Sequence, residues 1–191
     1  MSRRTRLTRA AAVSLAVALL TGCSGFSGGN KGYIEGDGAV LIVPDGDRRE
    51  PVALSGTTMQ GRRLDLATLR GEVVVLNVWY AACEPCRREA PDLQKAATDL
   101  APNGVRFVGL NVRDTDPETA IAFERTFSIT YPSLFDAAST LTALQGAVPP
   151  KAVPSTVVLD RQGRVAARIS GPTTRSTLVG IVQDVLKTGA A

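Results

Sequence analysis

The sequence predicts an α/β fold in which a mixed central sheet is flanked by helices. Three observations carry that expectation. Glu72 to Trp79 reads EVVVLNVW, a near-continuous apolar and β-branched run. Such a run fits a central strand buried on both faces. Ala90, Leu93, Ala97 and Leu100 then recur three or four apart, which is a helical stripe. Ser155 to Leu159 and Val165 to Ile169 flank a turn at Gly163 and read as a hairpin. A parallel half joined to an antiparallel half gives a mixed sheet.

The elements follow in order. AVLIV, Ala39 to Val43, reads as a short strand or a docking segment. Pro51 to Gly71 alternates weakly around Gly56 and Gly61, which suggests a hairpin ahead of the main sheet. The strand of Glu72–Trp79 leads into a helix over Glu84–Leu100. A second strand follows at Val105–Val112. Strand, helix, strand implies a crossover and parallel pairing. Asp116-Pro117-Glu118 supplies a cap, a proline at the first position and an early acid, so a helix runs from there to about Phe127. Tyr131–Phe135 is a short strand, and Asp136–Gln145 a short helix that Gly146 ends. Thr173–Leu186 closes the chain with a helix whose apolar side carries Leu178, Ile181, Val182, Val185 and Leu186.

The first residues are of another kind. Met1 to Arg9 holds four arginines and no acid, and Ala10 to Leu20 is almost wholly apolar. That run is shorter than the ~20 residues of a permanent membrane span. Basic stretch, short apolar stretch and small residues are the layout of an export signal. Leu20-Thr21-Gly22-Cys23 resembles the lipobox of bacterial lipoproteins, which implies cleavage before Cys23 and a lipid on that cysteine. Ser2-Arg3-Arg4 is weakly similar to a twin-arginine signal. Residues 1–22 are therefore expected to be a lipoprotein signal peptide, 23–45 a Gly/Ser-rich tether, and 46–191 the folded domain.

Removal of the signal changes the charge balance. The chain has 22 Lys+Arg and 18 Asp+Glu; without the four signal arginines the basic count is also 18. The mature protein is formally neutral and keeps no basic footprint for nucleic acid. Export places it where disulfides persist. Of the three cysteines, Cys23 is assigned to lipid, so Cys83 and Cys86 form no larger disulfide framework. Hydrophobic residues make up 44% of the chain, enough for an ordinary core.

Cys83 and Cys86 sit three apart where strand gives way to helix. On the first helical turn they share one side, at a separation of about 5–6 Å that a disulfide can span. The helix N-terminus favours a thiolate, which is the nucleophile. Cys83, at the strand end, is expected to be exposed and to attack. Cys86, one turn deeper, would resolve the mixed disulfide. Other roles fit less well. Structural zinc needs four ligands, and the chain has no histidine and no second cysteine pair. Two thiolates could hold copper(I), yet the histidine expected of a delivery protein is missing. A structural disulfide over so small a loop gives little stability. A peroxidase would carry a threonine where Tyr80, Ala81 and Ala82 stand. Neither metal nor cofactor is expected.

Trp79 to Cys86, WYAACEPC, resembles the W-x-x-x-C-x-x-C active site of thioredoxin-like proteins. The Glu84-Pro85 filling and the preceding Leu76-Asn77-Val78-Trp79 are most similar to the membrane-associated TlpA/ResA/DsbE branch. Pro91 stands where such proteins kink the active-site helix, and Val153 to Thr156 matches their cis-proline loop. The likeness runs over roughly 52–187, with 113–145 similar to the branch's helix–strand insertion. It implies a thioredoxin fold and a redox-active Cys83–Cys86 pair. Substrate would be met by Trp79, Glu84, Pro85, Val153 and Pro154, with Val153 backbone groups pairing to an extended segment. It also implies a glutamate in the active-site cavity, here Glu89, which would oppose thiolate formation at Cys86 and relay a proton. Glu84 would temper the helix-end effect. The chain departs from cytoplasmic thioredoxin at Asn77, where those proteins carry a buried aspartate, and this shifts acid–base work towards Glu89.

The resulting expectation is a lipid-anchored thiol–disulfide oxidoreductase on the outer face of the cell membrane. It would reduce exported cysteine-containing proteins, apocytochrome c among them, with electrons from a membrane donor of the CcdA/DsbD type. The alternatives are an oxidase of the same fold, a binding module whose cysteines are incidental, and a secreted protein without an anchor.

Overall fold

The computed structural model describes residues 39–135, 137–144 and 152–188. The signal of 1–22, Cys23, and the tether up to residue 38 lie outside them, as do Asp136, Gln145 and Gly146. In chain order the strands and α-helices are β1 (Ala39–Ile42), β2 (Ser55–Thr57), β3 (Arg63–Asp65), β4 (Val73–Trp79), α1 (Glu84–Leu100), β5 (Val105–Asn111), α2 (Pro117–Thr126), β6 (Ser133–Leu134), β7 (Ser155–Leu159), β8 (Val165–Ser170) and α3 (Arg175–Thr188).

Six strands make one mixed sheet in the order β1-β8-β7-β4-β5-β6, and β2 and β3 pair separately as the expected hairpin. β4 runs parallel to β5, and β5 to β6, while β4–β7, β7–β8 and β8–β1 are antiparallel. All seven residues of β4 are buried, as a central strand with a neighbour on each side requires. Alternation divides its side chains between two cores. Val73 and Val75 face Leu93 and Leu100 of α1 and Leu178, Ile181 and Val182 of α3. Val74, Leu76 and Val78 face Val52, Leu54 and Leu66, with Ala137 and Leu144 beside them.

Four expected boundaries move. The domain does not begin at 46: Ala39–Ile42 pairs with Ala167–Ser170 along the edge of the sheet, so apolar pairing claims residues assigned to the tether. The strand of Tyr131–Phe135 shrinks to Ser133–Leu134, because only those two residues find register on β5. The short helix expected over Asp136–Gln145 is a 3-10 helix over Ala137–Leu144, its two end residues lying outside the described ones. Helix α3 starts at Arg175 instead of Thr173, since the Thr174 hydroxyl accepts the Thr177 amide at 3.3 Å and caps the helix there.

A buried ionic knot fastens the segment after β1 to the β7–β8 turn. Asp160 is fully buried and accepts from Arg48 Nη1 at 3.1 Å and Arg164 Nε at 2.8 Å; the Arg48 side chain is 4% exposed. Removing the charge from one member of such a group leaves the others underpaired. Asp160→Asn should therefore lower stability by about 2 kcal/mol. A urea midpoint equal to that of the unsubstituted protein would contradict this.

Candidate active site

The site grows from the C-terminal ends of β4 and β5, where parallel strands open a crevice. Trp79 ends β4, and Tyr80 to Ala82 carry the chain into α1. Cys83 is the N-cap of α1. Its sulfur accepts the Cys86 amide N–H at 3.2 Å, so a donor already points at the atom that would carry charge as a thiolate. Pro85 lies in the first turn, where no backbone N–H is needed. Cys83 and Cys86 are joined as a disulfide, with Cα atoms 5.2 Å apart.

One expectation is reversed here. Cys83 is 2% exposed and Cys86 1%, so the first cysteine is as buried as the second. Met59, Trp79, Ala81 and Phe123 close around the pair, and Val153 packs against the same cluster. Glu84 stands on the first turn of α1. Its side chain is 72% exposed and faces Arg88 at 3.7 Å, a surface pair in which solvent screening leaves little.

Other residues arrive as read. The Val153–Pro154 bond is cis, and Val153 reaches the cluster that holds the disulfide. Trp79 stacks on Phe123 with ring centroids 4.3 Å apart. Room for that indole comes from Gly109: a methyl group there would collide with Trp79 Nε1 and the Ser133 hydroxyl. Pro91 lies inside α1, where it offers no N–H to the Arg87 carbonyl.

Glu89 is buried on the same side of α1 as Cys86, one turn on, with 3% exposure. Asn77 Nδ2 donates to its Oε1 at 3.0 Å, and the Thr173 amide donates to its Oε2 at 2.9 Å. Burial pushes the carboxyl up to about 7, and the two donors only partly oppose it. Asn77, where cytoplasmic thioredoxins carry an aspartate, thus holds the acid in place.

Several supporting residues escaped the reading of the sequence. Asp114 Oδ2 accepts the Ala81 amide at 2.9 Å and Asn111 Nδ2 at 2.6 Å, which pins the loop before Cys83. Arg87 donates to the Ala81 carbonyl at 3.4 Å and lies 5.1 Å over the Phe127 ring. Arg113 lies 4.9 Å over Tyr80. The available signal was the parallel pairing itself. Once β5 lies beside β4, residues just after β5 must stand beside the loop that leaves β4.

This arrangement can do thiol–disulfide exchange. It has a bonded pair at a helix N-terminus, an aimed donor, an apolar wall and a buried acid. Residues 49–168 match the model of the AhpC/TSA family. The chain belongs to the AhpC/TSA family. The thiol:disulfide interchange protein HelX of Rhodobacter capsulatus is 31% identical to the chain over 71% of this chain and 79% of its own. The thiol-disulfide oxidoreductase ResA of Bacillus thuringiensis (strain Al Hakam) is 26% identical over 68% of this chain and 72% of its own. The crystal structure of a secreted thiol-disulfide isomerase from Corynebacterium glutamicum superposes with a TM-score of 0.71 at 29% identity, covering 78% of this chain and 92% of that one. This AhpC/TSA-family chain has a thioredoxin-like fold and is a thiol–disulfide oxidoreductase whose couple is Cys83–Cys86.

Proposed function

We propose that the protein is a reductant of exported proteins, held at the outer face of the cell membrane by a lipid on Cys23. Its substrates are exported chains that carry paired cysteines, with apocytochrome c as the class implied by its likeness to the TlpA/ResA/DsbE branch. Electrons reach Cys83–Cys86 from a membrane dithiol donor of the CcdA/DsbD type. The observation that carries the direction is Glu89, a buried carboxyl raised to about 7 on the helix face of Cys86. When ionised, it opposes a second negative charge on the neighbouring sulfur. When protonated, it can supply a proton to a leaving thiolate. Both effects work against storing the reduced pair as a stable thiolate, which is what makes a strong oxidant.

In exchange, Cys83 attacks a substrate sulfur and forms a mixed disulfide. Cys86 then attacks Cys83, the substrate leaves as a dithiol, and Cys83–Cys86 is oxidised. Trp79, Pro85, Val153 and Pro154 line the approach, and Glu89 serves Cys86. The test is to mix the reduced protein with an oxidised peptide bearing Cys-x-x-Cys-His and to follow both partners by mass. The reduced peptide should accumulate with the oxidised protein. Transfer in the opposite direction would mark an oxidase, and no transfer either way would mark a binding module.

A further inference from the structure

Cys83 and Cys86 are buried within an apolar cluster, so an incoming substrate sulfur needs part of that cluster to yield. Its buried members differ in how firmly they are held. Trp79 and Phe123 stack with centroids 4.3 Å apart, and Phe127 meets Phe123 at 4.7 Å. Moving one ring gives up its contacts with the others. Ala81 is pinned through its amide to Asp114. Ala90 and Ala120 carry only a methyl group each and belong to α1 and α2.

Met59 is held differently. It is 9% exposed, the largest value among the buried members of the cluster. It stands on the turn between β2 and β3, where its backbone is fixed. The Met59 amide donates to the Ser133 carbonyl at 3.1 Å, and the Thr58 amide to the Arg62 carbonyl at 2.8 Å. Thr58 also forms a bridge with Leu134. The base is therefore anchored while the side chain can swing. Methionine is unbranched, with three rotatable bonds and a polarizable sulfur, and it adapts to irregular surfaces.

Topology sets Met59 across from the cis-proline loop. Val153 lies two residues ahead of β7, on one side of β4. Ser133, which holds Met59, belongs to β6, two strands away on the other side. β4 leads towards Cys83 between them, and Val153 and Met59 enter the same cluster. A substrate segment paired to the Val153 backbone is extended. Side chains two places apart on it face the same way, about 7 Å from each other.

We propose that Met59 is the yielding wall of the substrate site and a specificity-determining residue for exchange. Its side chain moves aside for the incoming cysteine and packs on an apolar substrate residue two places from that cysteine, on the side away from Val153. The preferred substrates are therefore cysteines with an apolar neighbour at that spacing. This role rests on the attack by Cys83 given above and is independent of the direction of electron flow.

The test uses the reduced full chain and two peptide homodisulfides in excess. Each peptide has one cysteine, with leucine or with glycine two residues to either side. The leucine peptide should be reduced about tenfold faster, the scale on which a hydrophobic pocket discriminates. Met59→Ala should abolish that preference and speed the reduction of hydroxyethyl disulfide, which is too small to use the missing contact. Met59→Leu keeps the apolar volume and should keep the preference. Leu54→Ala thins the core under the same hairpin and should keep it too. Equal rates for the two peptides with the unsubstituted protein, or a preference that survives Met59→Ala, overturn this inference and leave attack by Cys83 standing. So does loss of the preference in Leu54→Ala, since loosening the hairpin would then suffice. Failure of both peptides and of hydroxyethyl disulfide to react overturns the exchange chemistry and this inference with it.

Discussion

Cys86→Ala should stall as a trapped mixed disulfide. The Cys83 sulfur sits under the amide of residue 86, a backbone donor that the substitution keeps. Attack on a substrate disulfide is therefore preserved, and resolution is lost. Turnover should fall by about a thousandfold or more, as when one member of a reacting unit is removed. The covalent adduct should be visible by mass on non-reducing gels. Cys83→Ala should lose turnover to the same extent and form no adduct. The reverse pattern, with the adduct only in Cys83→Ala, would make Cys86 the attacking thiol and undo the assignment of roles. The burial of Cys83 sharpens this expectation. With 2% exposure, the attacking sulfur is reached only when substrate displaces part of the apolar cluster, so bulky alkylating reagents should react more slowly than small ones.

Glu89→Gln should change how stability depends on pH. The folded carboxyl titrates near 7 against an ordinary value of 4.5. Between these values the folded chain keeps a proton that the unfolded chain has released, so stability falls as pH rises through the window. The full shift corresponds to about 3 kcal/mol. Urea midpoints measured near pH 4.5 and near pH 7.5 should show this loss in the unsubstituted protein. Glu89→Gln should lack it, since glutamine does not titrate. Parallel curves would mean that Glu89 ionises in the fold as it does in water. The same variant should lose the step near pH 7 in thiol alkylation, and this separates a role at Cys86 from a purely structural one.

Local patterns made most of the frame legible. The β-branched run of β4, the stripe of α1 and the capping residues of α2 each specify their element within a few residues. What escaped depends on pairing across the chain. Ala39–Ile42, readable as a strand or a docking segment, becomes a strand because β8 offers it an edge, and those residues alone do not choose between the two. Helix α3 begins after Thr174, whose hydroxyl caps it, and the Thr173 amide left outside is taken by Glu89, far away in sequence. The site divides in the same way. Cys83, Cys86 and Pro154 were readable from one short motif and one loop. Asp114 acts through the loop before Cys83, and its bond to the Ala81 amide becomes visible only once β5 lies beside β4. Burial of Cys83 has a related cause: the apolar cluster it belongs to draws on Met59, Phe123 and Val153, three separate parts of the chain.

The direction of electron flow is open to one direct reading, the equilibrium of the Cys83–Cys86 pair with glutathione. A buried acid beside the resolving cysteine should place the couple towards thioredoxin, near about −270 mV, where about 30 mV is a tenfold change in the equilibrium constant. A value near about −120 mV, that of a strong oxidant, would contradict a reductant and make the protein a donor of disulfides.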